Sequence, residues 1–166
     1  MKNKLSINLE VSLVEIIMSV FIFAIAGVIM INCFAIARFT QIKANDIVIS
    51  SNIVQSDMEF IRATKNYNEV DEFLVSNYSL SEVIKSDNLY IKYYDVNWVP
   101  CNDDKKEYKI STNVSTVQVN SGKMESIRIV AEKLRPYPFI SKEKNQSYSI
   151  YSIESKKFFP LDSGGR

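Results

Sequence analysis

Residues 16–37 read IIMSVFIFAIAGVIMINCFAIA, twenty-two positions without a charge, in which only Ser19 and Asn32 are clearly polar. As a helix rising about 1.5 Å per residue the run is about 33 Å long, enough to cross a hydrocarbon core of about 30 Å. It therefore reads as a transmembrane helix. A helix apolar on every side could instead be buried, but one domain of 166 residues seldom surrounds such a helix. A cleaved secretory signal is the third reading, with Lys2 and Lys4 as a basic start and Ala24-Ile25-Ala26 as a small-residue cleavage site. Against it, fifteen residues including Glu10 and Glu15 precede the run, which continues well past Ala26. Lys2 and Lys4 on one side face Arg38 and Lys43 on the other, so basic residues do not fix the orientation.

At the start of the run Glu15 is set directly against apolar helix, where a carboxylate is costly to desolvate and calls for a partner. An interfacial acid bathed in headgroup water is the simpler alternative. The stretch Val11-Ser12-Leu13-Val14-Glu15-Ile16 resembles the start of the type IV pilin and pseudopilin family. Its members carry a short basic leader, a cleavage point, a small or hydroxyl residue, two aliphatic residues and a glutamate opening the apolar helix. Glu10 stands where the family's leader ends in glycine, and Val11 where phenylalanine or methionine is usual. The resemblance implies a leader over residues 1–10, removed by a prepilin peptidase between Glu10 and Val11. It also implies a filament-assembly role for Glu15, paired with the new Val11 amine of an adjacent subunit. Other pilin subunits, the pilus assembly machinery and the cytoplasmic membrane are the implied partners. The chain would cross that membrane once, with its C-terminal domain outside, and join a cell-surface filament.

Beyond the span, Ile42, Ile49, Ile53 and Phe60 fall on one stripe, with Ile47, Val54, Met58 and Ile61 beside it. Lys43, Asn45, Asp46, Ser50, Gln55, Asp57 and Glu59 fall opposite. These spacings predict an amphipathic helix over residues 39–66, ending around Thr64–Asn66. No Pro or Gly lies between Phe39 and Tyr67, so span (11–38) and amphipathic half can form one rod of about 75 Å over Ile16–Lys65.

Residues 67–166 read as a connecting region followed by strands, with one short helix expected over Leu80–Lys85. From Leu89 to Trp98 apolar positions alternate with period two. Val99-Pro100-Cys101-Asn102-Asp103-Asp104 is turn chemistry. Tyr108, Ile110, Thr112 and Val114 keep one phase and Val117 and Val119 the other, which predicts a bulge or break near Ser115. Val117–Val119 and Met124–Ala131, joined by Asn120-Ser121-Gly122-Lys123, read as a hairpin whose second arm ends before Pro136 and Pro138. Ser147–Ile153 reads as a further strand. The predicted class is α+β, a long N-terminal helix packed by its amphipathic half on a small antiparallel meander sheet. Ile49, Ile53, Ile61, Ile91, Val117, Ile127, Ile129 and Ile150 are the expected core.

Composition narrows the chemistry. There is no histidine, which removes the commonest general base and metal ligand, and the net charge is +1. No catalytic, cofactor or metal residues are expected. Asp95, Asn102, Asp103 and Asp104 fit no calcium-loop spacing. Asn77, Asn113 and Asn145 open sequons of the kind that match by chance. Cys33 lies in the apolar run and Cys101 in a polar turn, so no disulfide between them is expected. Phe39–Asp104 carries a net −6 and Lys105–Arg166 a net +6, which predicts attraction between helix and sheet within one chain or between neighbouring chains. A nucleic-acid partner would need Lys105, Lys106, Lys109, Arg128, Lys133 and Arg135 on one face. Three function classes follow: a minor pilin or pseudopilin subunit, a single-span anchored binding domain that does not polymerise, and an enzyme, for which no constellation of residues is present.

Overall fold

A computed structural model describes residues 13–78, 83–84, 88–102, 104–139 and 147–160. One helix, α1 (Leu13–Ala63), runs unbroken for 51 residues, about 76 Å. A second helix, α2 (Tyr67–Tyr78), follows after a three-residue turn. The strands are β1 (Val83–Ile84), β2 (Leu89–Tyr94), β3 (Tyr108–Val119), β4 (Gly122–Lys133) and β5 (Tyr148–Pro160). They form one antiparallel sheet in chain order, a pure meander. The C-terminal half of α1 lies across one face of β4 and β5, and α2 extends the cover over β2. The α+β arrangement of a long helix on a meander sheet is thus the observed fold.

The helix rests on the sheet by the second of the two apolar rows, Val54, Met58 and Ile61, continued by two polar residues rather than by Ile42 and Phe60. Asp46, Ser50, Val54, Met58 and Ile61 are its buried residues, a near-perfect four-residue row. Ile49 and Ile53 are half-buried beside it, while Ile42 and Phe60 are exposed. Two polar residues expected to face water therefore face the sheet. Ser50 is small and returns its hydroxyl to the Ile47 carbonyl at 3.2 Å, and Asp46 finds buried donors. Phe60 stacks instead on Phe73 of α2, with ring centroids 4.3 Å apart.

The helix expected over Leu80–Lys85 is not what forms there. Val83 and Ile84 pair with β2, and the rest of that segment lies outside the described residues. The second helix comes earlier because its start is capped. Glu69 reaches back to accept from the Lys65 amide at 2.7 Å and the Asn66 amide at 3.4 Å. Val70, Leu74 and Tyr78, spaced by four, are then all buried against the sheet.

β2 ends at Tyr94, and Val96 and Trp98 belong to a turn. Asp95 Oδ1 accepts from the amides of Asn97 at 2.8 Å and Val99 at 2.9 Å, so the turn closes on its own side chain. Trp98 sits there with φ of 60°, a left-handed conformation costly for a bulky residue, and its ring stacks on Tyr108 at 4.0 Å.

The predicted hairpin is present as β3–β4, turning through Asn120 and Ser121. β3 has no break near Ser115; its register with β4 is continuous from Tyr108 to Val119. The shift of apolar phase arises because β3 outruns the helical cover, so residues beyond Val114 are exposed on both faces. Val117, expected in the core, is 60% exposed. The register irregularity lies elsewhere, between β4 and β5 at Ala131/Glu132. β4 ends at Lys133, before the two prolines, and β5 extends to Pro160, well past Ile153. Gly122 is required where it stands, since a Cβ there would meet the Phe159 carbonyl oxygen at 2.1 Å. Ile61, Ile91, Ile127 and Ile129 are buried as expected, and Ile150 packs against the core's edge.

Candidate functional site

The large apolar side chains of the first half of α1 are not covered by the other described residues. Those from Leu13 to Ile36 are exposed, and the helix is long and apolar enough to cross a membrane. Glu15 lies in its first turn, where a carboxylate complements the helix dipole, and the Ser19 hydroxyl donates to the Glu15 carbonyl at 2.7 Å. Glu10 and Val11, the expected cleavage pair, lie outside the described residues.

Where this half gives way to the packed half, α1 is clamped by one carboxylate. Asp46 is 3% exposed. Its Oδ2 accepts from the Tyr137 hydroxyl at 2.7 Å and the Tyr108 hydroxyl at 2.9 Å, and its Oδ1 from the Trp98 indole N–H at 3.3 Å. Lys133 Nζ lies 3.8 Å from Asp46 Oδ2 and 3.1 Å from Glu107 Oε1, and donates to the Tyr108 hydroxyl at 3.0 Å. A buried charge is tolerable when paired and saturated with donors in this way. Burial, reinforced by the hydrogen bond to Asp46, pushes the phenols of Tyr108 and Tyr137 well above the ordinary tyrosine range, so both remain donors. The clamp joins a helix, the turn after β2, the start of β3, the end of β4 and the segment beyond it.

A second attachment holds the far end. Lys157 of β5 donates to the carbonyls of Ile61 and Arg62 at 2.9 Å each, and to the Thr64 carbonyl and hydroxyl. The Ile61 carbonyl also accepts from the Thr64 amide and hydroxyl, so Lys157 completes a cap on the last carbonyls of the helix, and the ammonium complements the dipole there. Nearby Glu125 is almost wholly buried on the helix-facing side of β4, and its Oε2 has no hydrogen-bond partner. Burial is the main cause holding its carboxyl above the usual range; Asp71 adds to this, while Lys157 and Lys123 offset it. Asp57, also raised by burial, accepts from the Tyr78 hydroxyl at 2.8 Å, which in turn meets Thr112 at 3.0 Å.

The opposed charges of the two chain halves meet partly inside the molecule, at Asp46–Lys133. The six basic residues considered for nucleic acid do not share a face. Lys133 is buried towards the helix, whereas Lys109 pairs with Glu132 at 2.6 Å on the outer face. Lys106 lies over the Tyr93 ring at 4.1 Å. Neither Cys33 nor Cys101 is in a disulfide. Among the described residues no cluster of three or more acidic, Cys or His side chains could hold a metal.

Sequence reasoning missed Asp46 and Lys157. Asp46 had one signal, its exact four-residue spacing from Ser50, Val54 and Met58. The chain matches no protein-family model, no curated protein and no solved structure.

Proposed function

We propose that this chain is a minor subunit of a type IV pilus-like filament, assembling through the apolar half of α1. The observation that supports this reading is the division of one uninterrupted helix: a half whose large apolar side chains are exposed, with Glu15 in its first turn, and a half clamped to a sheet by Asp46 and Lys157. A soluble domain held rigidly on the end of an apolar rod suits a subunit whose rod packs among identical rods. Glu15 would then be desolvated by neighbouring helices and paired with a neighbour's N-terminal amine, which sets the axial register on docking. On this reading assembly itself is the activity.

Glu10 in place of the leader's glycine favours a second reading, a single-span anchored domain that never polymerises. Glu15→Gln separates the two. A filament subunit loses incorporation into sheared filaments while membrane insertion and domain folding persist. Equal recovery of wild type and variant from filaments would sink the assembly role. The N-terminal mass of the membrane-bound protein reports processing directly, with a start at Val11 indicating cleavage after Glu10.

A further inference from the structure

Between α1 and the segment following β4 lies a cleft of about 800 Å³ that the filament reading does not use. Its walls carry Phe39 and Ile42 from the helix and Pro136 from the opposite segment, and Arg38 and Arg135 also line it. Phe139, 71% exposed, packs on Phe39 with centroids 5.7 Å apart. The lining thus sets an apolar wall beside polar side chains, Gln41, Asn45 and the groups around Asp46 among them, and two further guanidinium groups.

The charges are arranged unequally. The two carboxylates of the cleft, Asp46 and Glu107, are both served by Lys133. Arg38 and Arg135 are exposed, and neither has a carboxylate partner among the described residues. Two exposed guanidinium groups beside an apolar wall suit an amphiphilic anion.

Position identifies the amphiphile. Arg38 directly follows the uncharged run, so with that run in a membrane Arg38 stands at the headgroup layer. From Arg38 to Asp46 the helix rises about 12 Å, against a headgroup zone of roughly 5–8 Å on each side of the bilayer. Phe39, next to Arg38, and Phe139 packed on it would lie at the same depth. We propose that the cleft binds the phosphodiester headgroup of an anionic phospholipid, with Arg38 and Arg135 on the phosphate and the glycerol and upper acyl carbons against Phe39, Ile42 and Pro136. The binding rests on α1 crossing a membrane and is independent of polymerisation.

The test uses the full chain in a neutral detergent, with native mass spectrometry counting retained lipid. Phosphatidylglycerol, phosphatidylcholine and inorganic phosphate are offered separately. One phosphatidylglycerol is expected to remain bound in preference to phosphatidylcholine. Arg38→Gln/Arg135→Gln is expected to weaken that retention on the order of thirtyfold. Arg128→Gln, the same charge change on the outer face of the sheet, is expected to leave it unchanged. Emission from the single tryptophan, Trp98, reports whether the Asp46 clamp is intact. Should the double variant disturb it, Arg38→Gln alone carries the comparison, with a loss of about fivefold. Equal retention of both lipids, or retention indifferent to the arginines, overturns the proposal. So does inorganic phosphate binding alone with the same arginine dependence, which would make free phosphate the ligand. Extraction of the chain from membranes by alkaline carbonate would sink the anchoring reading and this proposal together. A chain that resists extraction yet shows no lipid preference sinks the cleft alone.

Discussion

The ammonium of Lys157 lies 2.9 Å from the carbonyl oxygen of Ile61, joining the last strand to the end of a helix 96 residues earlier in the chain. The same group meets the Arg62 carbonyl and both oxygens of Thr64. Lys157→Met keeps the aliphatic stem and removes every donor. It is expected to destabilise the folded domain by about 1–3 kcal/mol, because the Arg62 and Thr64 carbonyls lose this donor, while Ile61 keeps the Thr64 amide and hydroxyl. Urea unfolding followed by circular dichroism measures this, and a change under 0.5 kcal/mol would show that water substitutes for the ammonium.

Asp46 gives the larger effect. Asp46→Ala leaves the donors of Tyr108, Tyr137 and Trp98 unanswered and Lys133 short of one of its two carboxylates, at an expected cost of about 3–5 kcal/mol. Asp46→Asn retains an acceptor oxygen and is expected to lose less. Trp98 emission should shift in step with the stability loss, since its indole N–H donates to the deleted group. Unfolding midpoints equal to wild type for Asp46→Ala would refute the clamp.

Glu125 makes stability depend on pH. Its folded carboxyl lies above the ordinary range, so the fold favours the protonated form. The stabilisation it contributes is therefore complete below the ordinary glutamate value, near 4.5, and disappears as pH rises through the folded value. Glu125→Gln mimics the protonated form at every pH. The variant is expected to exceed wild type by about 1 kcal/mol at pH 7 and to match it near pH 4, with Lys157 and Lys123 keeping the gain at the lower end. Asp57 shifts in the same direction but is common to both proteins and cancels in the difference. A gap that widens on acidification would contradict the assignment.

The sheet should also sort two β-branched residues that look alike in sequence. Ile129→Ala is expected to cost about 2–5 kcal/mol and Val117→Ala under 0.5 kcal/mol, since the first is fully buried and the second exposed. Both are measurable in a fragment beginning at Phe39, expected to be soluble and to unfold cooperatively because the core lies beyond the apolar run. Aggregation of that fragment in water would count against this division of the chain.

The architecture was legible because its periodicities are long: an uncharged run, a helical stripe, then alternation. The face of α1 was misread for a physical reason. Periodicity counts apolar residues, and here the contact row carries Asp46 and Ser50, whose polarity is answered by groups distant in sequence. Trp98 was assigned to a strand because alternation continues past Tyr94, whereas the Asp95 side chain turns the backbone. Lys157 could not be recognised as a cap, since nothing local links β5 to Thr64. Glu15 stood out through its position beside the apolar run, and it lies in the first turn of α1.

Two of the attachments of α1, at Asp46 and at Ile61, are fifteen residues or about 22 Å apart, while Leu13 projects about 50 Å below the nearer of them. The sheet therefore holds the helix as a short, firmly gripped handle on a long lever. A tilt of about 5° at the grip displaces Leu13 by about 4 Å, close to three residues of helical rise. Any neighbour that engages the turn around Glu15 is thus sensitive to small rotations of the sheet. Load applied to the sheet would reach that neighbour through torque on the rod.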